Sequence, residues 1–181
     1  MKRSQLREFQ ERIKSDFQKA GIVITDKEAQ SLEAADFGLN RYEEIGLGVL
    51  VYVNTHRCCA KELAMLPHQI CPEHRHPRAG DEPGKEETFR CRWGEVYIHI
   101  PGAETLKPLG QVPADKKSTF TVWHEVVLKP GEQFTLPPDT LHWFQAGPEG
   151  AVVSEFSTAS RDEIDIFTDP EIVRIPVIEE E

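Results

Sequence analysis

From Ile45 onward the chain is a train of short apolar runs separated by Pro and Gly, and this limits its fold more than any other feature. The runs are GVLVYVNT (48–55), KELAML (61–66), TFRCRW (88–93), EVYIHI (95–100), FTVWHEVVL (120–128), QFTLP (133–137), HWFQA (142–146) and AVVSEFS (151–157). They are rich in Val, Ile, Phe, Tyr and Thr, and no helical pattern lies between them. Parallel strands need long crossovers, so many short strands joined by turns predict a mainly β chain folded as an antiparallel sandwich or barrel. With 181 residues there is room for one such domain and its core. Residues 101–118 are polar, contain Gly102, Pro108 and Gly110, and read as an excursion between strands.

Ahead of the strands, Leu6, Phe9, Ile13 and Phe17 recur at spacings of three and four among charged residues. That spacing predicts an amphipathic helix, stopped by Gly21. Thr25 and Glu28 have capping-box spacing, so a second helix is expected from there through Leu32 toward Ala35. The apolar faces of these helices need a partner, either the strand body or another subunit. The chain therefore divides into a helical segment packed on the barrel (1–44), the barrel (45–160) and an acidic, turn-like C-terminal segment (161–181). The last of these ends in Glu179, Glu180 and Glu181, expected to fray.

Several classes of function are disfavoured. A formal net charge of −10, with no cluster of Lys and Arg, does not suit a nucleic-acid binder. No apolar run approaches the ~20 residues that span a bilayer, and the charged start lacks a signal-peptide core. Cys58, Cys59, Cys71 and Cys91 have neither zinc-ribbon spacing nor a sensible disulfide framework. They read as small buried hydrophobes in a reducing, cytoplasmic protein, with Cys91 in phase with Glu87 and so near any site there.

Chemistry concentrates around residues 71–94. On a strand, His74 and His76 point to one face, close enough to share an ion. Glu87 opens the next run, and His142 can bring a third imidazole from a neighbouring strand. Three neutral imidazoles and one carboxylate suit manganese, iron, nickel or zinc with positions left open. His74, His76, Glu87 and Gly94 also stand at the spacings of the first cupin motif, and Gly131, Pro137 and His142 at those of the second. The chain thus resembles the cupins, which implies a jelly-roll-like antiparallel β-barrel with N-terminal α-helices added. His68 and Asp139 stand where the motifs carry Gly, and Ala146 where the second ends in Asn; the turns, rather than the ligands, are put in question.

Longer stretches narrow the likeness. YVNTHRCCAKEL, CPEHRHP, GKEETFRCRWGEVY, TVWHEV, HWFQAG, GAVVSEFSTAS and DIFTDP together resemble the D-lyxose ketol-isomerases over residues 22–170. The resemblance implies metal-dependent interconversion of D-lyxose and D-xylulose, and of D-mannose and D-fructose, through an enediol. It implies one divalent ion, manganese first and cobalt, zinc or iron otherwise, held by His74, His76, Glu87 and His142. The proton shuttle is assigned to Glu155, with Val153 and Ser157 on its face and a pKa raised by burial, and to Lys85 as acid or oxyanion partner. Lys61, in phase with Leu63 and Met65, either meets a sugar hydroxyl or lies on the surface. Trp143 and Phe144 directly follow the ligand His142, and either one walls the pocket or both sit in the core. The expected partner is a small neutral sugar, with neither nucleic acid nor membrane, and the expected assembly is a homodimer. Two other readings compete: an iron-dependent cupin dioxygenase, which gives Lys85 no task, and a non-catalytic sugar-binding cupin. A phosphosugar isomerase would need a cationic pocket that the net charge does not favour.

Overall fold

The computed structural model describes residues 1–175 and 177–180. Two helices, α1 (Arg3–Lys19) and α2 (Asp26–Gln30), precede nine strands. These are β1 (Glu33–Ala35), β2 (Leu47–Asn54), β3 (Cys59–Met65), β4 (Ile70–Arg75), β5 (Glu87–Ile100), β6 (His124–Leu128), β7 (Gln133–Leu136), β8 (His142–Ser157) and β9 (Ile166–Phe167). The sheet follows the order β1-β2-β3-β8-β4-β9, and β5 pairs with β6, β7 and β8. Every pairing between these strands is antiparallel, and the sheet curls into the expected barrel.

Two long strands generate the curl. The runs 88–93 and 95–100 form one strand, β5, and the runs 142–146 and 151–157 form β8. Their intervening glycines bend the strands instead of reversing them. The β5–β8 register shifts between Cys91 and Trp93 and again between Gly94 and Val96, opposite residues 147–150. Gly94 has φ +70°, and a Cβ there would lie 2.0 Å from the Gly150 carbonyl oxygen, so only glycine permits this crossing. By bending, β8 pairs with β4 through its first residues and with β3 through its last.

Alternation along the strands separates two apolar layers. Leu63, Met65, Phe89, Val96, Ile98, Phe144 and Val153 fill the barrel. Leu50, Ala64 and Val152 point outward and are covered by Ile13 and Phe17 of α1, helped by Phe9. Burying Ile13 and Phe17 contributes about 1.5–3 kcal/mol each, which outweighs the weak intrinsic preference of so short a helix. A third cluster, Ile70, Phe120 and Trp143, lies under the excursion between β5 and β6.

Two expectations for the ends of the chain need correction. The capping box at Thr25 and Glu28 forms, but α2 stops at Gln30 and Glu33–Ala35 is a strand on the edge of β2. Leu32 and Ala34 pack under α1 while Ala35 faces the barrel, a period of two that the open edge of β2 selects. The described residues of the C-terminal segment, expected to fray, make specific contacts. The segment adds β9 to β4, pairs Glu179 with Lys2 and places Glu180 against Arg3. Glu181 lies outside the described residues. No helix among the described residues is long and apolar enough to cross a membrane.

Candidate metal centre and active site

His74 lies near the end of β4 and His76 just beyond it, Glu87 opens β5, and His142 opens β8. Ligand atoms of the three imidazoles lie within 4.8 Å of one another, all buried. Glu87 Oε1 is 3.1 Å from both His76 Nε2 and His142 Nε2. The opposite ring nitrogens are engaged elsewhere. Nδ1 of His74 is 2.8 Å from the Pro72 carbonyl, Nδ1 of His142 is 2.9 Å from that of Thr140, and Nδ1 of His76 is 2.5 Å from Asp165 Oδ1. Where Nδ1–H donates, Nε2 keeps its lone pair, so the outer contacts turn the metal-binding atoms inward.

The electrostatics differ between the imidazoles. Burial, reinforced by the neighbouring imidazoles of His142 and His76, holds His74 well below the usual histidine range, so it is neutral. Burial also opposes a charge on His76, but Glu87 and Asp165 outweigh it and raise that imidazole to about 9, so without metal it holds a proton on Nε2 as well, which a bound ion would have to displace. Burial alone would protonate Glu87; Lys85 and His76 overcome it and keep the carboxyl well below its usual range. His142 Nε2 is buried and, although 3.1 Å from Glu87 Oε1, makes no well-formed hydrogen bond, so its lone pair is left facing the centre. A nitrogen-rich set with a carboxylate and one orphaned lone pair fits a divalent transition metal.

The turns in question keep their shape. His68 and Asp139, at the two positions where glycine was expected, have φ of 60° and 58°. They adopt the left-handed backbone that glycine would supply, so the chain reaches the ligands along the same path despite the substitutions.

Next to the imidazoles is a second buried cluster. Lys85 Nζ is 2.7 Å from Glu87 Oε2 and 3.0 Å from Glu155 Oε1. Ser157 Oγ donates to the same oxygen of Glu155 at 3.2 Å, and no hydrogen bond among the described residues reaches Oε2. Burial would discharge Lys85, yet Glu155, Glu87 and Asp162 raise its pKa and keep it charged. Lys61 is no surface residue: it is buried opposite Glu155 on β3, bonded to Ser160 Oγ at 2.9 Å and to Asp162 at 3.0 Å. Arg174 completes that group by pairing with both Asp162 and Glu33.

Of the two aromatic candidates next to His142, one lies in the core and the other borders the site. Trp143 follows His142 and so points to the opposite face, where it stacks on His99 with ring centroids 3.7 Å apart. It does not border the site; Phe144 does. Cys91 is inside the barrel but beyond Phe89, with its Sγ turned to the carbonyls of Trp93 and Gly94. Cys58 is exposed, unlike the other three cysteines, and all four are free. Asp162, Asp165, Phe167 and Arg174 line the interior cavity; their segment has no periodicity to mark them as inward, and only the stretch DIFTDP (165–170), part of the resemblance, touches it.

This architecture recurs in known proteins. L-ribose isomerase of Acinetobacter sp. DL28, solved with L-ribose, superposes with a TM-score of 0.77 at 18% identity, over 95% of this chain and 94% of that one. At that identity the likeness concerns the fold. Sequence relatives are much nearer: the D-lyxose ketol-isomerase of Thermofilum sp. (strain ex4484_79) is 60% identical over 96% of both chains. The D-lyxose/D-mannose isomerase of Thermosediminibacter oceani is 56% identical over 99% of both. The model of the D-lyxose isomerase family matches residues 3–181. With that span and relatives more than half identical from end to end, the chain belongs to the D-lyxose isomerase family.

Proposed function

We propose that the chain is a metal-dependent aldose–ketose isomerase acting on D-lyxose and D-xylulose, with D-mannose and D-fructose as a second pair. The observation that carries this reading is the contact between the two clusters: Lys85 joins the ligand carboxylate of Glu87 to the free-standing carboxylate of Glu155. His74, His76, His142 and Glu87 would hold one divalent ion, manganese in this reading, with cobalt, zinc or iron as other occupants. The chemistry such an ion supplies is Lewis-acid polarisation of the sugar carbonyl.

The remaining work is proton transfer. Glu155 takes the proton from C2 of the open-chain aldose and returns it to C1 of the enediol. Lys85 gives a proton to O1 as the carbonyl opens and recovers one from O2 as the new carbonyl forms. No proton is gained or lost overall. Lys61 and Asp162 supply a donor and an acceptor for the sugar's remaining hydroxyls.

We assign a homodimer to the same reading. Val53, Ala60 and Phe156 lie side by side on the outer face across β2, β3 and β8, with Val53 41% and Phe156 50% exposed, and a second copy would cover this row. Cytoplasmic residence is proposed on the four free cysteines. The test is a ketose assay on chelator-stripped protein under nitrogen, with manganese, cobalt, zinc or iron restored separately and D-lyxose or D-mannose supplied. Metal-dependent D-xylulose from D-lyxose and D-fructose from D-mannose are the expected products. Oxygen uptake without ketose would establish a dioxygenase instead, and saturable binding without turnover a sugar-binding protein.

A further inference from the structure

The three imidazoles are braced in two different ways. His74 and His142 each turn Nδ1 to a carbonyl two residues earlier in the chain, so their orientation is set locally. The brace on His76 is Asp165, 89 positions away, in the segment that follows β8. That segment is tied down along its length. Ser160 exchanges hydrogen bonds with Asn54, Asp162 meets Lys61 and Arg174, Thr168 donates to Glu73, and Asp169 pairs with Lys116. Phe167 is the β9 partner of His74 and lies along its ring, with centroids 5.2 Å and planes 26° apart. One short segment thus touches two of the three imidazoles.

The same segment separates two cavities. The inner one, among the imidazoles, Lys61, Lys85 and Glu155, has about 30 Å³ of free space. That holds about one or two waters and is far too small for a five-carbon sugar. The outer one has about 320 Å³ and lies between Pro83 and Gly84 on one side and Arg161 and Ile164 on the other. His76, Lys85 and Asp165 border both cavities. Of these three, Asp165 alone belongs to the covering segment, while Lys85 and His76 adjoin barrel strands. Asp165 is thus the part of the wall between the outer cavity and the centre that this segment supplies.

We infer that Asp165 is the positioning residue of the centre: it holds Nδ1–H of His76, directs Nε2 to the ion, and ties the grip on the metal to closure of residues 158–175. The inference rests on the metal-dependent reading above. A carboxylate that orients a ligand histidine typically sets metal affinity by 10–100-fold. Coupling is reciprocal, so if closure tightens the metal site, metal binding favours closure by the same factor.

The test uses the full chain and its Asp165→Asn and Asp165→Ala variants, stripped with chelator and titrated with cobalt. Three readouts are taken: affinity by competition with a chelating dye, the visible absorption band of bound cobalt, and hydrogen exchange over 158–175 with and without metal. Asp165→Ala is expected to bind cobalt about 10–100-fold more weakly, with an altered band. Asp165→Asn should fall between, because its amide oxygen still accepts from His76; it also serves if the alanine variant does not fold. In the parent chain cobalt should slow exchange over 158–175, and Asp165→Ala should lose that protection. Equal affinities and bands in all three proteins, or exchange indifferent to metal in the parent, would overturn the inference alone. Failure of the parent to bind any metal would overturn the metal-dependent reading and this inference with it.

Discussion

Replacing Glu155 by Gln isolates the proton-transfer role. Gln keeps the shape of the side chain and an oxygen that can accept from Lys85 and Ser157, now 3.0 and 3.2 Å from Oε1. Lys85 keeps its second carboxylate, Glu87, at 2.7 Å, so its charge stays compensated. The metal-binding set is untouched. What disappears is the proton acceptor, and a positioned acid–base group contributes about 10²–10⁴ in rate. That corresponds to roughly 3–5.5 kcal/mol of transition-state stabilisation. We therefore expect kcat for D-lyxose to fall by about 10²–10⁴, with KM and metal content close to the parent values. The assay follows D-xylulose formation, metal content by elemental analysis, and deuterium entry from heavy water into C2 of D-lyxose by NMR. The parent should exchange that hydrogen during turnover and Glu155→Gln should not. Full activity with metal bound would refute the reasoning, and a loss accounted for by missing metal would move Glu155 from proton carrier to metal support.

Two further outcomes follow from buried charge. Lys85→Met removes the cation shared by Glu87 and Glu155; breaking such a buried group costs about 3–5 kcal/mol, or roughly 6–20 °C in Tm for a chain of this size. A metal-free Tm within a degree or two of the parent would show that Lys85 does not hold these carboxylates. His99 is fully buried against Trp143, and burial drives its imidazole to about 4 even though Glu125 pulls the other way. Its folded value lies below the ordinary one near 6.5, so as pH falls the unfolded chain takes the proton first. The stability tied to neutral His99 is complete above about pH 6.5 and is lost toward pH 4, by roughly 3–4 kcal/mol at most. Urea midpoints should drop more steeply over that range in the parent than in His99→Gln; parallel curves would count against the assignment.

The ligand set was legible because motif spacing and strand parity agree on His74, His76, Glu87 and His142. Parity also placed Glu155 inside and should have excluded Trp143, which follows a ligand and must face the other way. Lys61 showed the inward phase of Leu63 and Met65, but its partner Asp162 sits in a 3₁₀ turn that no periodicity reveals. Asp165 and Phe167 were hidden for the same reason, since β9 has two residues and its place depends wholly on β4. Residues 32–35 were too few to distinguish a period of 3.6 from one of two, and the edge of β2 decided the outcome.

Among the described residues the interior lysines and arginine are engaged, Lys85 by Glu87 and Glu155, and Lys61 and Arg174 by Asp162, with Glu33 as a further partner of Arg174, while His76 meets Glu87 and Asp165. A chamber wired this way offers a phosphate ester no unneutralised positive charge, and a chain of net charge −10 repels such esters at a distance. In a mixture of free and phosphorylated sugars, the charged ones would seldom occupy the interior chamber. Selection for neutral sugars then rests as much on electrostatic refusal as on recognition, and it should weaken as salt screens the field.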